Sequence, residues 1–169
     1  MSSASVTVRR ARTADVPRIL ELVQPLVDQR VLLGKEAVTI YEAVQEFRVA
    51  ETADGQIVGC GALHVFWQDL AEIRTLAVAP EWLGKGVGHA VLEQLVTDAR
   101  ELGLARLFCL TFEVEFFGKH AFAEVSDQII DEATFAELEL SHDEGVAEFL
   151  DLARVKPNTL GNTRMLRYL

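Results

Sequence analysis

The sequence predicts a mixed α/β protein in which helices cover both faces of a central sheet. Three observations support this class. Apolar residues recur at helical spacing over residues 16–27 and 86–102. Apolar runs with strand character lie between and after these helices, and Asp54-Gly55 is a strong hairpin signal. The run 106–112 is almost wholly apolar, as expected for a strand in the middle of a sheet covered on both faces.

Each element follows from a local pattern. In the first strand, apolar and polar residues alternate. The first helix has Thr13 at its expected N-cap and Pro17 in its first turn, where proline is tolerated. Gly103 is the expected C-cap of the long helix. The predicted strands span residues 6–10, 47–51, 57–67, 71–78, 106–112 and 165–168, with one more strand after residue 121. The first predicted helix follows Thr13 and carries its apolar rhythm over residues 16–27, and the other predicted helices span residues 36–46, 86–102, 113–121 and 144–153.

Length and composition place the chain among globular proteins. With 169 residues, half hydrophobic and a quarter charged, we expect one domain over residues 1–169. The sequence has neither an apolar run of about 20 residues nor a signal-peptide pattern, so we expect a cytoplasmic protein with no membrane contact. A net charge of -10 disfavours nucleic-acid binding. A homodimer stays open.

The two cysteines are predicted to be buried thiols without a chemical role. Cys60 and Cys109 both lie in apolar runs that resemble strands, and neither has the spacing of a metal ligand. No His or Asn pattern accompanies either residue as it would in a cysteine nucleophile. We therefore expect no metal site and no catalytic cysteine.

The most specific motif is Gly84-Lys85-Gly86-Val87-Gly88, which joins a strand to the start of the long helix. The first N–H groups of a helix lack intrahelical partners, and the helix dipole adds positive charge there. Glycines let a phosphate approach the backbone closely, so the motif predicts an anion site. A Walker loop would need Ser or Thr after the lysine, and a dinucleotide loop would need G-x-G-x-x-G spacing.

Preceded by Leu76-Ala77-Val78-Ala79-Pro80, this motif resembles the acetyl-CoA pyrophosphate loop of the GNAT acetyltransferases, and the element order matches their fold. The family usually has Arg or Gln where this chain has Leu83. The resemblance implies acetyl-CoA as co-substrate and a strand end whose backbone pairs with the pantetheine arm, with an N–H of Leu76 or Ala77 on the thioester oxygen. The residues implied in acetyl-CoA binding are Leu76, Ala77, Val78, Gly84, Lys85, Gly86, Val87, Gly88 and His89.

Four segments resemble more narrowly the transferase domain of bacterial N-acetylglutamate synthases. They are 47–51, 57–64, 71–78 and 104–111, and the likeness runs from about residue 6 to residue 125. It implies acetyl transfer from acetyl-CoA to the α-amine of L-glutamate, the entry to arginine synthesis. Many such synthases carry a large kinase-like N-terminal domain, and these 169 residues contain none. We therefore expect a short, free-standing form.

Two residues are candidates for the base that deprotonates the acceptor amine. Glu72, on the strand expected to bind the thioester, would act directly or through a water, and its alternative role is an ion pair at the rim with Arg74 or another neighbour. His64 is the second candidate, and its alternative role is a hydrogen-bonded strand histidine. The family often has a tyrosine acid where this chain has Phe117, and Ala121 replaces a glycine of the same pattern. The thiolate then leaves unaided or another group, such as His120, serves.

An amino-acid acceptor with a carboxylate needs cations. Arg74 is the leading candidate because it is an arginine on the strand expected to present the thioester, and Arg binds carboxylates with two parallel hydrogen bonds. Arg30 and Lys35, in the loop between the first two helices, are the other candidates. Many synthases have an arginine where this chain has Glu113, so L-glutamine is an alternative acceptor. The polar run 156–164 is either a lid over the acceptor or a surface turn.

Two other functions remain open at this stage. One is a GNAT enzyme that acetylates a polyamine, an antibiotic or a peptide N-terminus. The other is a non-catalytic protein that binds acetyl-CoA as a sensor.

Overall fold

The computed structural model describes residues 5–32, 34–126, 129–150 and 161–169. It has a seven-stranded mixed sheet and six α-helices in these ranges, which confirms the mixed α/β class. The strands are β1 (Val6–Arg10), β2 (Phe47–Thr52), β3 (Ile57–Trp67), β4 (Leu70–Val78), β5 (Arg106–Thr111), β6 (Ala123–Glu124) and β7 (Thr163–Tyr168). The helices are α1 (Val16–Asp28), α2 (Ala37–Glu42), α3 (Val87–Glu101), α4 (Val114–Lys119), α5 (Glu132–Leu138) and α6 (Glu144–Leu150).

The chain divides into two compact units, and the sheet order is β1-β2-β3-β4-β5-β7-β6. The first unit comprises residues 1–64 and 73–103, and the second comprises residues 65–72 and 104–169. Strands β3 and β4 therefore contribute residues to both units.

The first unit contains an antiparallel meander with helices α1 to α3. Strand β1 pairs with β2 from Val6–Thr52 to Arg10–Arg48, and β2 pairs with β3. The predicted hairpin at Asp54-Gly55 is confirmed, since Gly55 has a φ of +86° and its N–H donates to the Thr52 carbonyl at 3.0 Å. Helix α3 buries the stripe of Val87, Val91, Leu92, Leu95, Val96 and Ala99.

The second unit is built on β5 and a cluster of aromatic side chains. Strand β5 runs parallel to β4 through the pairs Leu70–Arg106, Ala71–Leu107 and Glu72–Phe108, and antiparallel to β7. The rings of Phe66, Phe108 and Phe149 pack with centroids 4.9 to 6.4 Å apart. Leu70, Leu138, Val146, Leu150 and Leu166 are the other buried members of this core.

Several predicted boundaries were wrong, for physical reasons. Thr13 is not the N-cap of α1, because residues 13–15 form a 3₁₀ turn in which the Asp15 carboxylate accepts from the Arg12 N–H at 2.7 Å. The predicted helix 36–46 is α2 followed by a 3₁₀ turn over Val44–Glu46. Helix α5 was not predicted. The end of the helix predicted to reach residue 153 and most of the polar run 156–164 lie outside the described residues.

Candidate functional site

The end of β4, residues 73–78, lies beyond the register that pairs β4 with β5, which runs from Leu70 to Glu72 among the described residues, and we call this part the open edge of β4. Its side chains alternate here: Ile73, Thr75 and Ala77 are buried, whereas Arg74, Leu76 and Val78 are half-buried. An edge strand presents backbone N–H and C=O groups that another extended chain can pair with. This geometry suits an extended ligand arm at Leu76, Ala77 and Val78.

Thr75 interrupts the extended conformation of β4. Its φ of +56° lies in the left-handed region, which a β-branched residue enters only under constraint. The buried thiol of Cys60 donates to the Thr75 carbonyl at 3.5 Å. The local turn falls between Arg74 and Leu76, two residues that the sequence predicted to bind substrates. Thr75 was missed, because threonine ordinarily favours a regular strand.

A short loop connects β4 to α3. The Ala79 N–H donates to the Val58 carbonyl at 2.9 Å, and a 3₁₀ turn over Pro80–Trp82 follows. Gly84 and Gly86 then have φ values of +75° and +83°, a conformation that favours glycine. A Cβ added at either position would meet no heavy atom within 4 Å, so the surface above the loop is open.

The start of α3 has the features of an anion site. Gly86 is its N-cap, no side chain of the described residues caps it, and its first turn contains no acidic residue. The first intrahelical hydrogen bond runs from Ala90 N–H to the Gly86 carbonyl at 3.0 Å. Val87, Gly88 and His89 are therefore the first three residues of the helix, where N–H groups and the dipole favour a negative ligand.

Lys85 lies beside the loop with its charge against an aromatic ring. Its Nζ is 5.1 Å from the centroid of the Trp82 ring, which is within the range of a cation–π interaction. Trp82 was not singled out in the sequence, although its spacing of three residues from Lys85 could have suggested the contact. The pair keeps a positive charge at the glycine loop.

His64, the second candidate base, is held by a residue that the sequence analysis missed. Its Nδ1 is hydrogen-bonded to the carboxylate of Glu46, with the second oxygen at 3.1 Å, and both side chains are about three-quarters buried. Because a carboxylate only accepts, Nδ1 carries the hydrogen and the neutral ring has its lone pair on Nε2. Glu46 directly precedes β2, whose first residue Phe47 pairs with Ala62 of β3, two residues before His64. This position next to the start of a strand was the signal that could have placed Glu46 near His64.

Glu72, the first candidate base, belongs to the second unit. It is buried, with 6 % of its surface exposed, and it pairs with Phe108 across the parallel ladder. Burial first, and then the charge of Glu72, raise the pKa of the Cys109 thiol above its ordinary value. A buried carboxylate on β4 is unusual for a residue whose only role is a surface ion pair.

The three candidate cations differ in exposure. Arg74 is half-buried on β4. Arg30 and Lys35 lie in the connection between α1 and α2, as predicted, where Arg30 is exposed and Lys35 is half-buried. Arg30 also has a positive φ of 59°. All three belong to the first unit.

The segment around α4 contains Phe117, which stands where the family pattern often has a tyrosine. Phe117 is buried, and its ring packs edge-on against Phe116 and Phe122 with centroids 5.2 Å apart in each case. His120 follows α4 and its carbonyl accepts from Arg167 Nη1 at 2.9 Å. Phe117 therefore serves in packing, and it offers no proton.

Both cysteines are buried and free, as predicted. Burial raises the pKa of the Cys60 thiol to about 12. With the raised pKa of Cys109, both thiols stay protonated at neutral pH, and neither has the thiolate character of a nucleophile.

The fold and the glycine loop define a class that comparison with known proteins establishes independently. The profile of the "Acetyltransferase (GNAT) family" matches residues 24–124. The chain belongs to this family, and it is an acyltransferase whose donor is acetyl-CoA.

Two relatives show how far the similarity extends. An "Amino-acid acetyltransferase" of Mycobacterium tuberculosis is 56% identical over 164 residues, which cover 96% of this chain and 94% of the relative. An "Amino-acid acetyltransferase" of Neisseria meningitidis is 34% identical over 131 residues, 76% of this chain but 30% of the relative. The chain thus matches nearly the full length of the first protein and less than a third of the second.

Two solved structures resemble this one. The crystal structure of Rv2747 from Mycobacterium tuberculosis, in complex with CoA and NLQ, has a TM-score of 0.91 and 56% identity, over 96% of this chain and 99% of that one. N-acetylglutamate synthase from Neisseria gonorrhoeae, complexed with coenzyme A and N-acetyl-glutamate, has a TM-score of 0.79 and 28% identity, over 98% of this chain and 35% of that one.

None of the described helices is both long enough and apolar enough to cross a membrane.

Proposed function

We propose that this protein transfers the acetyl group of acetyl-CoA to the α-amine of L-glutamate, the first step of arginine biosynthesis, with L-glutamine as the alternative acceptor. The observation that carries the proposal is the 56% identity, over nearly the full length of both chains, to a relative named an amino-acid acetyltransferase. The N-acetylglutamate synthase resemblance supports glutamate, and Glu113 in place of a family arginine supports glutamine.

Acetyl-CoA binding is assigned to two adjoining parts of the first unit. The pyrophosphate would accept hydrogen bonds from the N–H groups of the Gly84–Gly88 loop and of the first turn of α3, including His89, with Lys85 adding charge. The pantetheine arm would pair with the open edge of β4 at Leu76, Ala77 and Val78. The open space above Gly84 and Gly86 and their left-handed conformation support this assignment.

The reaction is a direct transfer. The neutral amine attacks the thioester carbon, a C–N bond forms, and the C–S bond breaks as the oxyanion collapses. An N–H of Leu76 or Ala77 stabilises the oxyanion, and the base takes one proton from the attacking nitrogen. A thiol is far more acidic than an alcohol, so the CoA thiolate leaves without a strong acid. Phe117 in place of tyrosine is compatible with this step.

Glu72 is the proposed base, acting directly or through a water. Its buried position on β4, the strand proposed to pair with the pantetheine arm, supports the assignment. His64 with Glu46 is the competing candidate, since the carboxylate at Nδ1 directs the basic lone pair to Nε2. Both residues therefore enter the test.

Replacement of each candidate distinguishes the two bases. We expect Glu72→Gln to lower kcat by about 10²-fold or more, because a glutamine of the same shape accepts no proton. His64→Gln and Glu46→Gln should then change kcat by less than about fivefold. Steady-state kinetics across a pH series measures the effect. A full-rate Glu72→Gln enzyme with a slow His64→Gln enzyme would assign the base to His64 instead.

Arg74 is proposed to bind a carboxylate of the acceptor, with Arg30 and Lys35 as further cations. A carboxylate that leaves water near an anionic co-substrate needs a local positive partner. We expect Arg74→Ala to raise KM for the amino acid by about tenfold or more, because the loss of one charge-assisted hydrogen bond weakens binding by that order. KM for acetyl-CoA should stay nearly constant. Arg74→Lys should be intermediate, because it keeps the charge without the fork.

Arg100→Ala is the matched control, since Arg100 is an exposed arginine in the last turn of α3. It should leave both KM values unchanged. An Arg74→Ala enzyme with an unchanged KM for the amino acid would remove Arg74 from the acceptor site.

A further inference from the structure

Gly59 occupies a position in β3 that has no conformational need for glycine. It is buried, lies in the interior of an 11-residue strand, and its φ is outside the left-handed region. Glycine in a strand interior loses more conformational freedom on folding than other residues and offers no side chain to pack. A glycine there indicates that another part of the chain approaches the backbone closely.

The element that approaches is the first turn of α3. A Cβ built on Gly59 would lie 2.6 Å from Cγ1 of Val87, and 3.5 Å from both the Ala50 Cβ and the Ala77 carbonyl oxygen. Carbon atoms pack at about 3.5–4.0 Å, so the methyl group would need roughly 1 Å more space. Val87 is 1% exposed and β-branched, and its stiff side chain is enclosed by the core, so the helix start itself would have to move.

Consecutive residues of β3 hold both ends of the glycine loop. At one end, the Val58 carbonyl accepts from the Ala79 N–H at 2.9 Å. At the other end, the bare backbone of Gly59 receives Val87, the first residue of α3. The loop between these two anchors contains the glycines proposed to bind the pyrophosphate. The depth to which Val87 sits on β3 therefore fixes where the N–H groups of the helix start lie relative to the edge of β4.

We propose that Gly59 is a positioning residue for acetyl-CoA binding: by lacking a side chain it seats Val87 on β3, and so places the pyrophosphate-binding N–H groups of α3. This inference rests on the proposed role of the Gly84–Gly88 loop. It assigns a binding role to a residue that touches no substrate and that lies outside the glycine motif.

Gly59→Ala tests the proposal with two acetyl donors. For acetyl-CoA we expect Kd and KM to rise by about tenfold or more, because displaced N–H groups lose charge-assisted hydrogen bonds to the pyrophosphate. For S-acetyl-pantetheine, which lacks the pyrophosphate, kcat/KM should stay within about threefold of the wild-type value. A general folding defect would lower turnover of both donors alike, and that result would overturn the proposal.

A second substitution tests the steric cause. Val87→Ala removes the Cγ1 atom that the new methyl group would meet. The Kd of the double variant Gly59→Ala/Val87→Ala for acetyl-CoA should lie within about threefold of the Kd of Val87→Ala alone. This result would show that the effects of the two substitutions are strongly coupled. If Gly59→Ala does not fold, a double variant that folds and binds still supports the proposal. A double variant that fails to fold or to bind overturns it.

Ala99→Val is the matched control for overpacking. Ala99 is fully buried in the same helix, 12 residues beyond Val87, which is about 18 Å along the axis. Ala99→Val should lower the melting temperature without changing acetyl-CoA affinity. A loss of affinity as large as that of Gly59→Ala would overturn the specific role of Gly59.

Gly86→Asp distinguishes a failure of the proposed function from a failure of this inference. Unchanged acetyl-CoA affinity in Gly86→Asp would reject the loop as the binding site. Unchanged affinity in folded Gly59→Ala alone would reject only the positioning role of Gly59.

Discussion

Ala121 has a φ of +65°, a left-handed conformation in which its Cβ crowds the backbone. The resemblance noted in the sequence places Ala121 where the family pattern has glycine, which enters this conformation without cost. The neighbouring hydrogen bond from Phe122 N–H to the Phe117 carbonyl, at 3.1 Å, shows that the turn is retained. The alanine thus stores strain at the end of α4.

We expect Ala121→Gly to stabilise the protein by about 1 kcal/mol, because the strain of the left-handed alanine exceeds the entropy cost of glycine. For a chain of this length the melting temperature should rise by roughly 2–4 °C, as measured by calorimetry. Ala136→Gly, at an exposed position in the middle of α5, is the control and should destabilise by a similar amount. A lower melting temperature for Ala121→Gly would contradict the strain argument.

Single residues also mark the limit of what the sequence could predict. The alternating glycines predicted a loop of unusual conformation, and Gly84 and Gly86 do adopt positive φ values. Thr75 and Ala121 adopt them too, although neither residue type favours this conformation. Contacts between residues distant in sequence accompany such conformations, for example the hydrogen bond from the Cys60 thiol to the Thr75 carbonyl, and no local pattern reports them.

At the scale of elements, the start of α3 is the feature that we propose to bind the pyrophosphate of acetyl-CoA. Gly86→Asp would put a negative charge at the N-cap, against the open surface proposed to receive the pyrophosphate. We expect acetyl-CoA affinity to fall by about 10²-fold, as measured by titration calorimetry, since like charges within a few ångströms repel strongly.

Gly86→Asn is the matched control, because it has the same size and enters the left-handed region about as readily as aspartate. It should retain more affinity than Gly86→Asp, and the difference reports the charge. Equal binding by Gly86→Asp and the wild type would show that the anion lies elsewhere.

A second element-scale prediction concerns the ion pairs that join β1, β2 and the 3₁₀ turn before α1. Arg9 donates to Asp15 at 2.8 and 3.1 Å and to Glu51 at 2.8 Å. The hydrogen bond from Arg9 lowers the pKa of Asp15 below its ordinary value of 3.8. Because the folded-state pKa is lower than the unfolded one, the stabilisation is present above the ordinary value and is lost as the pH falls through the folded pKa.

We therefore expect Asp15→Asn to lower the free energy of unfolding by about 1–3 kcal/mol near neutral pH, and by less near pH 3. Chemical denaturation at the two pH values measures the difference. Glu21→Gln, at an exposed pair with Arg18, should cost much less at both. A variant penalty that is the same at both pH values would contradict the linkage.

Long periodic elements were predictable, and short capped ones were not. Strand β1 has the predicted bounds, β3 does also, and α3 starts and ends within one residue of its prediction. Helix α5 has only seven residues and a weak apolar period. Its signal was the N-cap Asp131, whose carboxylate accepts from the Thr134 N–H at 2.7 Å. Tertiary packing decides such short helices more than propensity does.

At the scale of the whole molecule, a chain with a net charge of -10 is proposed to bind two anionic substrates. Its overall field repels both, so the loop, the helix dipole and a few cations must provide the local attraction. The fold and the unusual conformation of the glycine loop could be predicted from the sequence because they depend on patterns that the sequence itself shows. The choice of acceptor is proposed to depend on a few side chains such as Arg74 and Glu113, which periodicity does not report.

The most direct test of the central claim is the rate of CoA release from acetyl-CoA with the common amino acids, spermidine and an aminoglycoside as acceptors. We expect turnover of L-glutamate or L-glutamine that rises with pH toward a plateau, because only the neutral amine attacks. The same assay with Gly86→Asp should lose most of this activity at low acetyl-CoA. Turnover of spermidine or the aminoglycoside with neither glutamate nor glutamine, or no turnover of any acceptor, would contradict the account.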